Sequence, residues 1–328
     1  MSQESFKSAF WLPGGHLQTI YPYFFIPFPP LIYRRERLET PDGDFIDLDW
    51  LDGPPDSPLV VLFHGLEGSS QGHYAKSLMH NLRQKGWRGV IPHFRGCSGE
   101  PNRLPRAYHS GDSAEIDWIL RHLRTLNPNN ALYAAGVSLG GNALLKWLGE
   151  QAGEALSIVD ASAAISAPLD LATAGQVLDQ GFNKATYTRH FLKTLKQKAE
   201  HKFHLHNMQV NHTAIQAAAT LYAFDDAFTA PLHGFKNADD YWLKASSKPY
   251  LPYIQAPTLV INALNDPFMP ASSLPASDEV SKMVTLEYPA EGGHVGFVSG
   301  PFPGNLNWLP QRIMAFFEGV AERRIMSD

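Results

Sequence analysis

The stretch GVSLGG, residues 136–141, lies between the apolar run ALYAA and the helix-like segment NALLKWLGE. It places Ser138 between Gly136 and Gly140 in the pattern G-x-S-x-G. Glycine weakens both strands and helices, so two glycines at such a junction need a physical reason. In a sharp strand-to-helix turn, the residues two before and two after the serine approach too closely for side chains. The pattern therefore predicts a strained turn that presents the Ser138 hydroxyl at the end of a strand.

Strand and helix patterns alternate along most of the chain. Short, continuous apolar runs, typical of buried parallel strands, occupy residues 58–65, 88–94, 131–138, 158–166, 257–263 and 283–289. This order predicts an α/β fold with a mostly parallel central sheet flanked by helices. Residues 34–53 alternate apolar and polar around a Pro-Asp-Gly turn, which predicts an antiparallel hairpin at one edge of the sheet. Asp112 and Glu115, at the start of one helical pattern, predict a capping box.

The alternation stops between Pro168 and Pro252, where the sequence is helical and contains no convincing strand. A stretch of this length is too long for a plain connection in a compact domain. We therefore predict a core formed by residues 1–168 and 251–328, with a helical cap inserted over 169–250. Several apolar side chains of the cap could line a pocket above Ser138: Phe182, Tyr187, Phe191, Leu195, Leu221, Tyr222, Phe224 and Phe228.

Composition excludes several classes of protein. The net charge of −5 argues against a nucleic-acid-binding protein, which would need a basic face. Cys97 is the only cysteine, so an intrachain disulfide is impossible, and we expect it to pack in a strand-end loop. Neither a signal-peptide pattern nor a membrane-spanning apolar run occurs, which predicts a cytoplasmic protein without a transmembrane segment. The composition does not indicate an oligomeric state.

The aromatic segment YPYFFIPFPPLIY, residues 21–33, carries no charge and contains four prolines. We expect it to lie extended over the body of the protein. Peripheral contact with a membrane is the alternative, because an exposed apolar patch of this kind can mark such a surface.

A serine hydroxyl becomes a useful nucleophile only when a base takes its proton and a third group orients that base. Asp266 follows the apolar run at 257–263, and His294 follows the run at 283–289. Together with Ser138 they would lie at the carboxyl ends of strands, where such sheets bind ligands. Asp170, after the run at 158–166, is the alternative acid, although it also suits the N-cap of a helix.

Stabilising an oxyanion requires backbone N–H groups, one of them from the loop after an early strand. The segment HGLEGSS, residues 64–70, supplies that loop. The candidate donors are the N–H groups of Leu66 and Leu139, with Glu67 as the alternative if the loop turns one residue later. We expect His64 to fix this loop rather than to act as a second base.

Other polar clusters suggest chemistry less strongly. Four histidines lie within HKFHLHNMQVNH, without cysteines or a recognised zinc spacing, which favours a solvated surface. These are His201, His204, His206 and His212. The adjacent acids Asp225 and Asp226 are expected to cap helices or to join cap and core. We expect neither a metal nor a cofactor.

Longer motifs carry a resemblance to a known family. They are GGHLQTIYP, HGLEGSS, HFRGCSGEPN, YHSGD, GVSLGGNALLKWLGE, FDDAFTAPLHGF, ALNDPFMP and GGHVGF, spread over nearly the whole chain. The chain resembles the α/β-hydrolase superfamily, and within it the YheT-type branch. That branch includes bacterial proteins classed as esterases, eukaryotic abhydrolase-domain lipases and yeast medium-chain ethyl ester synthases. The resemblance implies an α/β-hydrolase fold with Ser138, Asp266 and His294 as nucleophile, acid and base.

These observations predict a carboxylic ester hydrolase that forms an acyl-enzyme, with short- to medium-chain acyl esters as substrates. An acyltransferase would use the same residues and replace water by an alcohol. A non-catalytic binding module is disfavoured, since a scaffold would not need all three residues. Haloalkane dehalogenase and epoxide hydrolase activities are excluded, because those enzymes have an aspartate where Ser138 stands.

Overall fold

A computed structural model describes residues 5–206, 208 and 210–326 of the chain. Its centre is an eight-stranded sheet in the order β1-β2-β4-β3-β5-β6-β7-β8. The strands are β1 (Arg34–Glu39), β2 (Phe45–Leu51), β3 (Leu59–Phe63), β4 (Arg88–Pro92), β5 (Leu132–Val137), β6 (Ala161–Ile165), β7 (Thr258–Ile261) and β8 (Val284–Glu287). The neighbouring strands β4, β3, β5, β6, β7 and β8 are all parallel to one another. Strands β1 and β2 form an antiparallel hairpin at one edge. The predicted mostly parallel sheet and edge hairpin are confirmed.

Helices cover both faces of the sheet. One buried cluster, which includes Ile119 and Trp147, packs α3 (Ser113–Leu126) and α4 (Leu139–Gln151) on one face. A second cluster packs α2 (His73–Lys85) and α12 (Trp308–Ile325) on the other face, through Met79 and Phe317. Because both faces are buried, β3, β5, β6 and β7 are mostly apolar and buried at every position, and the polar exceptions are Ser162 in β6 and Thr258 in β7.

The predicted capping box at the start of α3 is wrong. Asp112 occupies the N-cap, but its carboxylate accepts no hydrogen bond from the helix. Both of its oxygens accept from one guanidinium nitrogen of Arg106, at 2.7 and 2.9 Å. Glu115 instead accepts from Nε of the buried Arg95 at 2.6 Å. Charge-assisted hydrogen bonds to arginine are stronger than a neutral cap, so the ion pairs take both carboxylates.

Residues between β6 and β7 form helices, and no strand occurs among the described residues of this stretch. The helices are α5 (Leu171–Leu178), α6 (Gly181–Asn183), α7 (Arg189–Leu205), α8 (His212–Ala217), α9 (Leu221–Phe224), α10 (Ala230–Leu232) and α11 (Ala238–Ala245). They have a small apolar cluster of their own, which includes Leu192, Phe224 and Phe228. The division into a core and a cap over 169–250 remains our prediction.

The amino-terminal aromatic segment departs from the expectation. Its first five residues belong to α1 (Gly15–Phe25), which runs through Pro22 instead of lying extended. The buried Gln18 holds this helix, because its side-chain amide donates to the Leu12 carbonyl at 3.1 Å and accepts from the Val298 N–H at 2.8 Å. Tertiary contacts thus outweigh the cost of a proline within a helix.

The last side chains of α1 face solvent. Tyr23, Phe24 and Phe25 are 63%, 66% and 62% exposed. Within the described part of the chain, every helix is too short or too polar to cross a bilayer.

Candidate active site

The turn at Ser138 has the strained geometry that its glycines predict. Ser138 follows β5 directly and is the N-cap of α4, with φ 52° and ψ −121°. A Cβ on Gly136 would lie 2.5 Å from the Gly140 carbonyl oxygen, and a Cβ on Gly140 would lie 2.5 Å from the Phe63 carbonyl oxygen. Side chains at either position would therefore collide with backbone, which gives a steric reason for glycine at both positions.

Ser138, His294 and Asp266 form one hydrogen-bonded chain. His294 Nε2 lies 3.0 Å from Ser138 Oγ, and His294 Nδ1 lies 2.9 Å from Asp266 Oδ2. Asp266 is 6% exposed and His294 is 9% exposed. The carboxylate can only accept, so the imidazole proton lies on Nδ1 and Nε2 is left to accept from the serine hydroxyl. Asp266 and Ser138 precede His294 by 28 and 156 positions in the sequence, yet all three side chains meet in space.

Phe268 contacts both the acid, Asp266, and the base, His294. Its backbone N–H donates to Asp266 Oδ1 at 2.8 Å, so both carboxylate oxygens accept a hydrogen bond. Its ring lies 3.9 Å from the His294 ring at an angle of 21°. One face of the imidazole is therefore covered, which restricts its rotation and its access to water.

Asp170, the alternative acid, makes other contacts. It is the N-cap of α5, where its carboxylate accepts from the Thr173 N–H at 3.1 Å and from the Thr173 hydroxyl at 2.8 Å. The predicted capping role of Asp170 is confirmed.

The amino-terminal helix supports the loop that carries His294, a contact that sequence reasoning missed. The His294 N–H donates to Thr19 Oγ1 at 2.8 Å, and the Thr19 hydroxyl donates to the Gly15 carbonyl at 2.7 Å. A Cβ on Gly293 would lie 2.5 Å from the same Gly15 oxygen. Gly293 also has φ +60°, so glycine meets both a steric and a conformational demand. The only signal in the sequence was the motif GGHLQTIYP, which carries no chemistry of its own.

Asn265 links the acid loop directly to the base loop. Its side-chain oxygen accepts from the Gly293 N–H at 2.9 Å. Its backbone oxygen would lie 2.0 Å from a Cβ on Gly15, so α1 packs against both loops at once. The separation between Asp266 and His294 is thus fixed by contacts outside the hydrogen-bonded chain.

The candidate oxyanion donors differ in their availability. The N–H of Glu67 donates to the Tyr108 hydroxyl at 2.9 Å, so it is already engaged. The N–H of Leu66 has no hydrogen-bond partner within residues 5–206, 208 and 210–326. Leu139 is the first residue of α4, where backbone N–H groups lack a partner in the preceding turn and favour negative charge. Leu66 and Leu139 line the same pocket as Ser138.

His64 fixes the loop after β3, as predicted. Its Nδ1–H donates to the Gly65 carbonyl at 2.8 Å, and its Nε2 accepts from the Phe94 N–H at 3.1 Å. Complete burial lowers the pKa of His64 to about 3, so the ring is neutral and both nitrogens are occupied.

Ser138 and His294 open into a mostly apolar cavity of about 120 Å³ beneath the helical stretch. Its apolar wall comprises Leu171, Ala174, Leu178, Phe191, Leu195, Leu221, Phe224, Trp242 and Phe268. Of the eight side chains named as possible lining, Phe191, Leu195, Leu221 and Phe224 line the cavity, while Phe182, Tyr187, Tyr222 and Phe228 do not. A pocket of this kind suits an acyl chain attached to a carbonyl at Ser138.

Residues 58–301 match the family described as the alpha/beta hydrolase fold. This chain belongs to the α/β-hydrolase family.

Similar proteins agree with this membership. The Escherichia coli protein YheT, whose name carries a provisional esterase assignment, is 39% identical over 306 residues, covering 91% of this chain and 88% of YheT. Human phospholipase ABHD3 is 28% identical over 330 residues, covering 97% of this chain and 80% of ABHD3. The Pyrococcus furiosus esterase Pf2001 is 15% identical with a TM-score of 0.57, covering 90% of this chain and 93% of that structure. The resemblance to the YheT-type branch is confirmed, and the α/β-hydrolase described here is an enzyme of the esterase and lipase type.

Asp225 and Asp226 of this hydrolase accept hydrogen bonds within its helical stretch, residues 169–250. Asp225 accepts from the Thr229 hydroxyl at 2.6 Å and from Trp242 Nε1 at 2.8 Å. Burial raises the pKa of Asp225 to about 6. Asp226 accepts at 3.0 Å from the N–H of Ala238, the first residue of α11, while Asn237 is the N-cap of that helix. The contacts of Asp225 lie within the stretch 169–250 and do not reach the sheet.

The histidine-rich segment of the hydrolase pairs with an acid. His204 and His212 lie 3.0 and 2.5 Å from carboxylate oxygens of Glu200. In the parts of the chain that the structure describes, no three histidine, cysteine or acidic side chains are grouped as a metal would require.

Proposed function

We propose that this α/β-hydrolase is a carboxylic ester hydrolase in which Ser138 is the nucleophile. His294 acts as general base and then as general acid, and Asp266 orients its ring. The observation that carries the proposal is the hydrogen-bonded chain of 3.0 and 2.9 Å at the mouth of an apolar cavity. The names of its relatives, which include a phospholipase and a provisional esterase, support an ester bond as the target.

In the first half-reaction, Ser138 Oγ attacks the ester carbonyl carbon while its proton moves to His294 Nε2. The carbonyl π electrons move to oxygen, and the resulting oxyanion accepts hydrogen bonds from the N–H groups of Leu66 and Leu139. When the carbonyl re-forms, the bond to the alcohol oxygen breaks, and His294 gives its proton to that oxygen. Asp266 balances the positive charge that the imidazolium carries between these two transfers.

In the second half-reaction, water replaces the alcohol. His294 removes a proton from water, whose oxygen attacks the acyl carbon and generates the oxyanion again. The bond to Ser138 Oγ then breaks, and His294 returns the proton to the serine. The products are the carboxylic acid and the unchanged enzyme.

Cavity size favours a short- to medium-chain acyl group. A water molecule takes up roughly 30 Å³ in the liquid, and a methylene group is close to it in size. The cavity of about 120 Å³ thus has room for several such groups beyond the carbonyl. We further propose that residues 169–250 act as a cap, since α5, α7, α9 and α11 contribute most of the apolar wall.

A series of p-nitrophenyl esters tests this function. Each buried methylene contributes roughly 0.8 kcal/mol, so kcat/KM should rise about three- to fourfold per carbon from acetate until the cavity is full. We expect the maximum between butyrate and octanoate, and no activity above background for Ser138→Ala. A steady decline from acetate onward would contradict the acyl pocket, and a Ser138→Ala enzyme within tenfold of wild type would contradict the nucleophile. Adding ethanol distinguishes hydrolysis from acyl transfer by the ethyl ester that transfer would form.

A further inference from the structure

The loop that carries Leu66 has an unusual backbone conformation at the next residue, Glu67. Glu67 has φ 54°, in the left-handed region that residues other than glycine rarely adopt. Such a conformation persists only where surrounding contacts enforce it. The direction of the Leu66 N–H therefore depends on what holds Glu67.

Tyr108 makes the first contacts that fix Glu67. Its hydroxyl accepts from the Glu67 N–H at 2.9 Å and donates to Glu67 Oε1 at 2.7 Å. Its ring is buried and lies parallel to Phe94, with 5.3 Å between the ring centres. This tyrosine belongs to the buried cluster that packs against the sheet.

Lys198, on the proposed cap, makes the second contact that fixes Glu67. Lys198 Nζ on α7 donates to Glu67 Oε1 at 2.7 Å and to Cys97 Sγ at 3.2 Å. The Glu67 side chain is 9% exposed and the Lys198 side chain 35%. A carboxylate this far removed from water needs its cation, so withdrawing the ammonium group would force Glu67 to seek water and to move its backbone.

The same face of α7 that carries Lys198 also lines the acyl cavity. Phe191 and Leu195 lie four residues apart, and Lys198 follows three residues later, which places all three on one side of the helix. An acyl chain that packs on Phe191 and Leu195 would therefore also settle the position of Lys198.

We infer that Lys198 is a positioning residue that couples the cap to the oxyanion hole. Its ammonium group holds the Glu67 carboxylate, and through it the loop that directs the Leu66 N–H towards the carbonyl oxygen of the substrate. The inference rests on the proposed function, because it assigns the Leu66 N–H to the oxyanion. The oxyanion hole is then complete only when α7 is docked, so binding of the acyl chain and stabilisation of the transition state are linked.

The test compares Lys198→Met, Lys198→Arg and the control Lys196→Met, each checked for folding by thermal melting. Lys196 lies on the same helix and donates to the Gln216 carbonyl at 2.7 Å, away from Glu67. The readouts are kcat and KM on p-nitrophenyl butyrate and the inhibition constant of butylboronic acid. The boronic acid adds to a nucleophilic serine and presents a tetrahedral oxygen to the oxyanion hole.

Complete loss of one oxyanion donor lowers kcat by about 10²–10³, so a misdirected donor should lower it by roughly 10- to 100-fold. We expect Lys198→Met to show that loss, to raise the boronic acid inhibition constant by a similar factor, and to keep KM within about twofold. Lys198→Arg should recover most of the loss, and Lys196→Met should match wild type. A Lys198→Met enzyme with unchanged kcat, or with lower kcat and unchanged boronic acid inhibition, would overturn the inference.

A second variant keeps the inference testable if Lys198→Met does not fold. Tyr108→Phe removes the other hold on Glu67 while preserving the ring that stacks on Phe94. It should show the same selective loss of kcat and of boronic acid affinity, and a wild-type value of either would overturn the inference. Activity that survives in Ser138→Ala would instead reject the proposed function itself, whatever the Lys198 variants show.

Discussion

Replacing Asp266 by asparagine should disable the enzyme without unfolding it, because the amide cannot serve both neighbours of the carboxylate. Asp266 Oδ1 accepts from the Phe268 N–H at 2.8 Å, and Oδ2 lies 2.9 Å from His294 Nδ1. Asparagine offers one accepting oxygen and one donating NH₂ group. If the oxygen keeps the bond to Phe268, the NH₂ group faces His294 Nδ1 and forces the imidazole proton onto Nε2. A protonated Nε2 cannot take the proton of Ser138.

The size of the effect follows from the loss of both tautomer and charge. We expect kcat to fall by about 10³–10⁴, equivalent to about 4 to 5.5 kcal/mol of transition-state stabilisation. Asp266 is 6% exposed, so water has little room to restore the missing acceptor. The melting temperature should change little, because the amide has nearly the shape of the carboxylate.

Asp170→Asn is the matched control for this experiment. Asp170 caps α5 by accepting from the Thr173 N–H, and asparagine caps helices as well as aspartate does. Turnover of p-nitrophenyl butyrate by this variant should stay near that of wild type. Our account of the acid would be refuted if Asp266→Asn stayed within tenfold of wild type, or if Asp170→Asn showed the large loss instead.

Three further predictions concern the support of the base, the acyl pocket and the buried carboxyl group of Asp225. Thr19→Ala should lower kcat about tenfold, because the His294 N–H loses its acceptor, while Thr19→Ser should retain activity; equal kinetics for the two variants would show that the hydroxyl does not position the loop. Ala174→Leu should shift the preferred p-nitrophenyl ester towards shorter chains, since Ala174 lines the cavity, and an unchanged chain-length profile would place the acyl chain elsewhere. The folded protein keeps the Asp225 proton up to a pKa of about 6, while the unfolded chain releases it near pH 4, so the wild-type protein should lose stability as the pH rises from about 4 to 6. Asp225→Asn should reduce that loss, because asparagine has no proton to release. Melting temperatures of both proteins across this range test that prediction, and parallel curves would contradict it.

The sequence was most informative where function depends on neighbours along the chain. The G-x-S-x-G turn needs only five residues, and its steric logic applies before any tertiary contact forms. Asp266 and His294 could be named because the carboxyl ends of parallel strands converge at one edge of the sheet, so chain order alone brings them together. The capping role of Asp170 followed from local pattern in the same way.

Contacts between distant segments could not be predicted in this manner. Pro22 argued against a helix, yet α1 forms because the buried Gln18 bonds to backbone 280 positions away. The capping box failed because Arg106 binds Asp112, an ion pair that the helix pattern does not encode. Likewise, Lys198 and Glu67 are 131 positions apart, and nothing in either local sequence pairs them.

Covalent labelling of the nucleophile tests the central claim most directly. Wild-type enzyme and Ser138→Ala are incubated with a fluorophosphonate, digested, and the modified peptide is located by mass spectrometry. Our account predicts one adduct on Ser138, loss of esterase activity in proportion to its formation, and no adduct in Ser138→Ala. An adduct on another residue that accompanies inactivation, or full esterase activity after Ser138 is completely modified, would contradict the account.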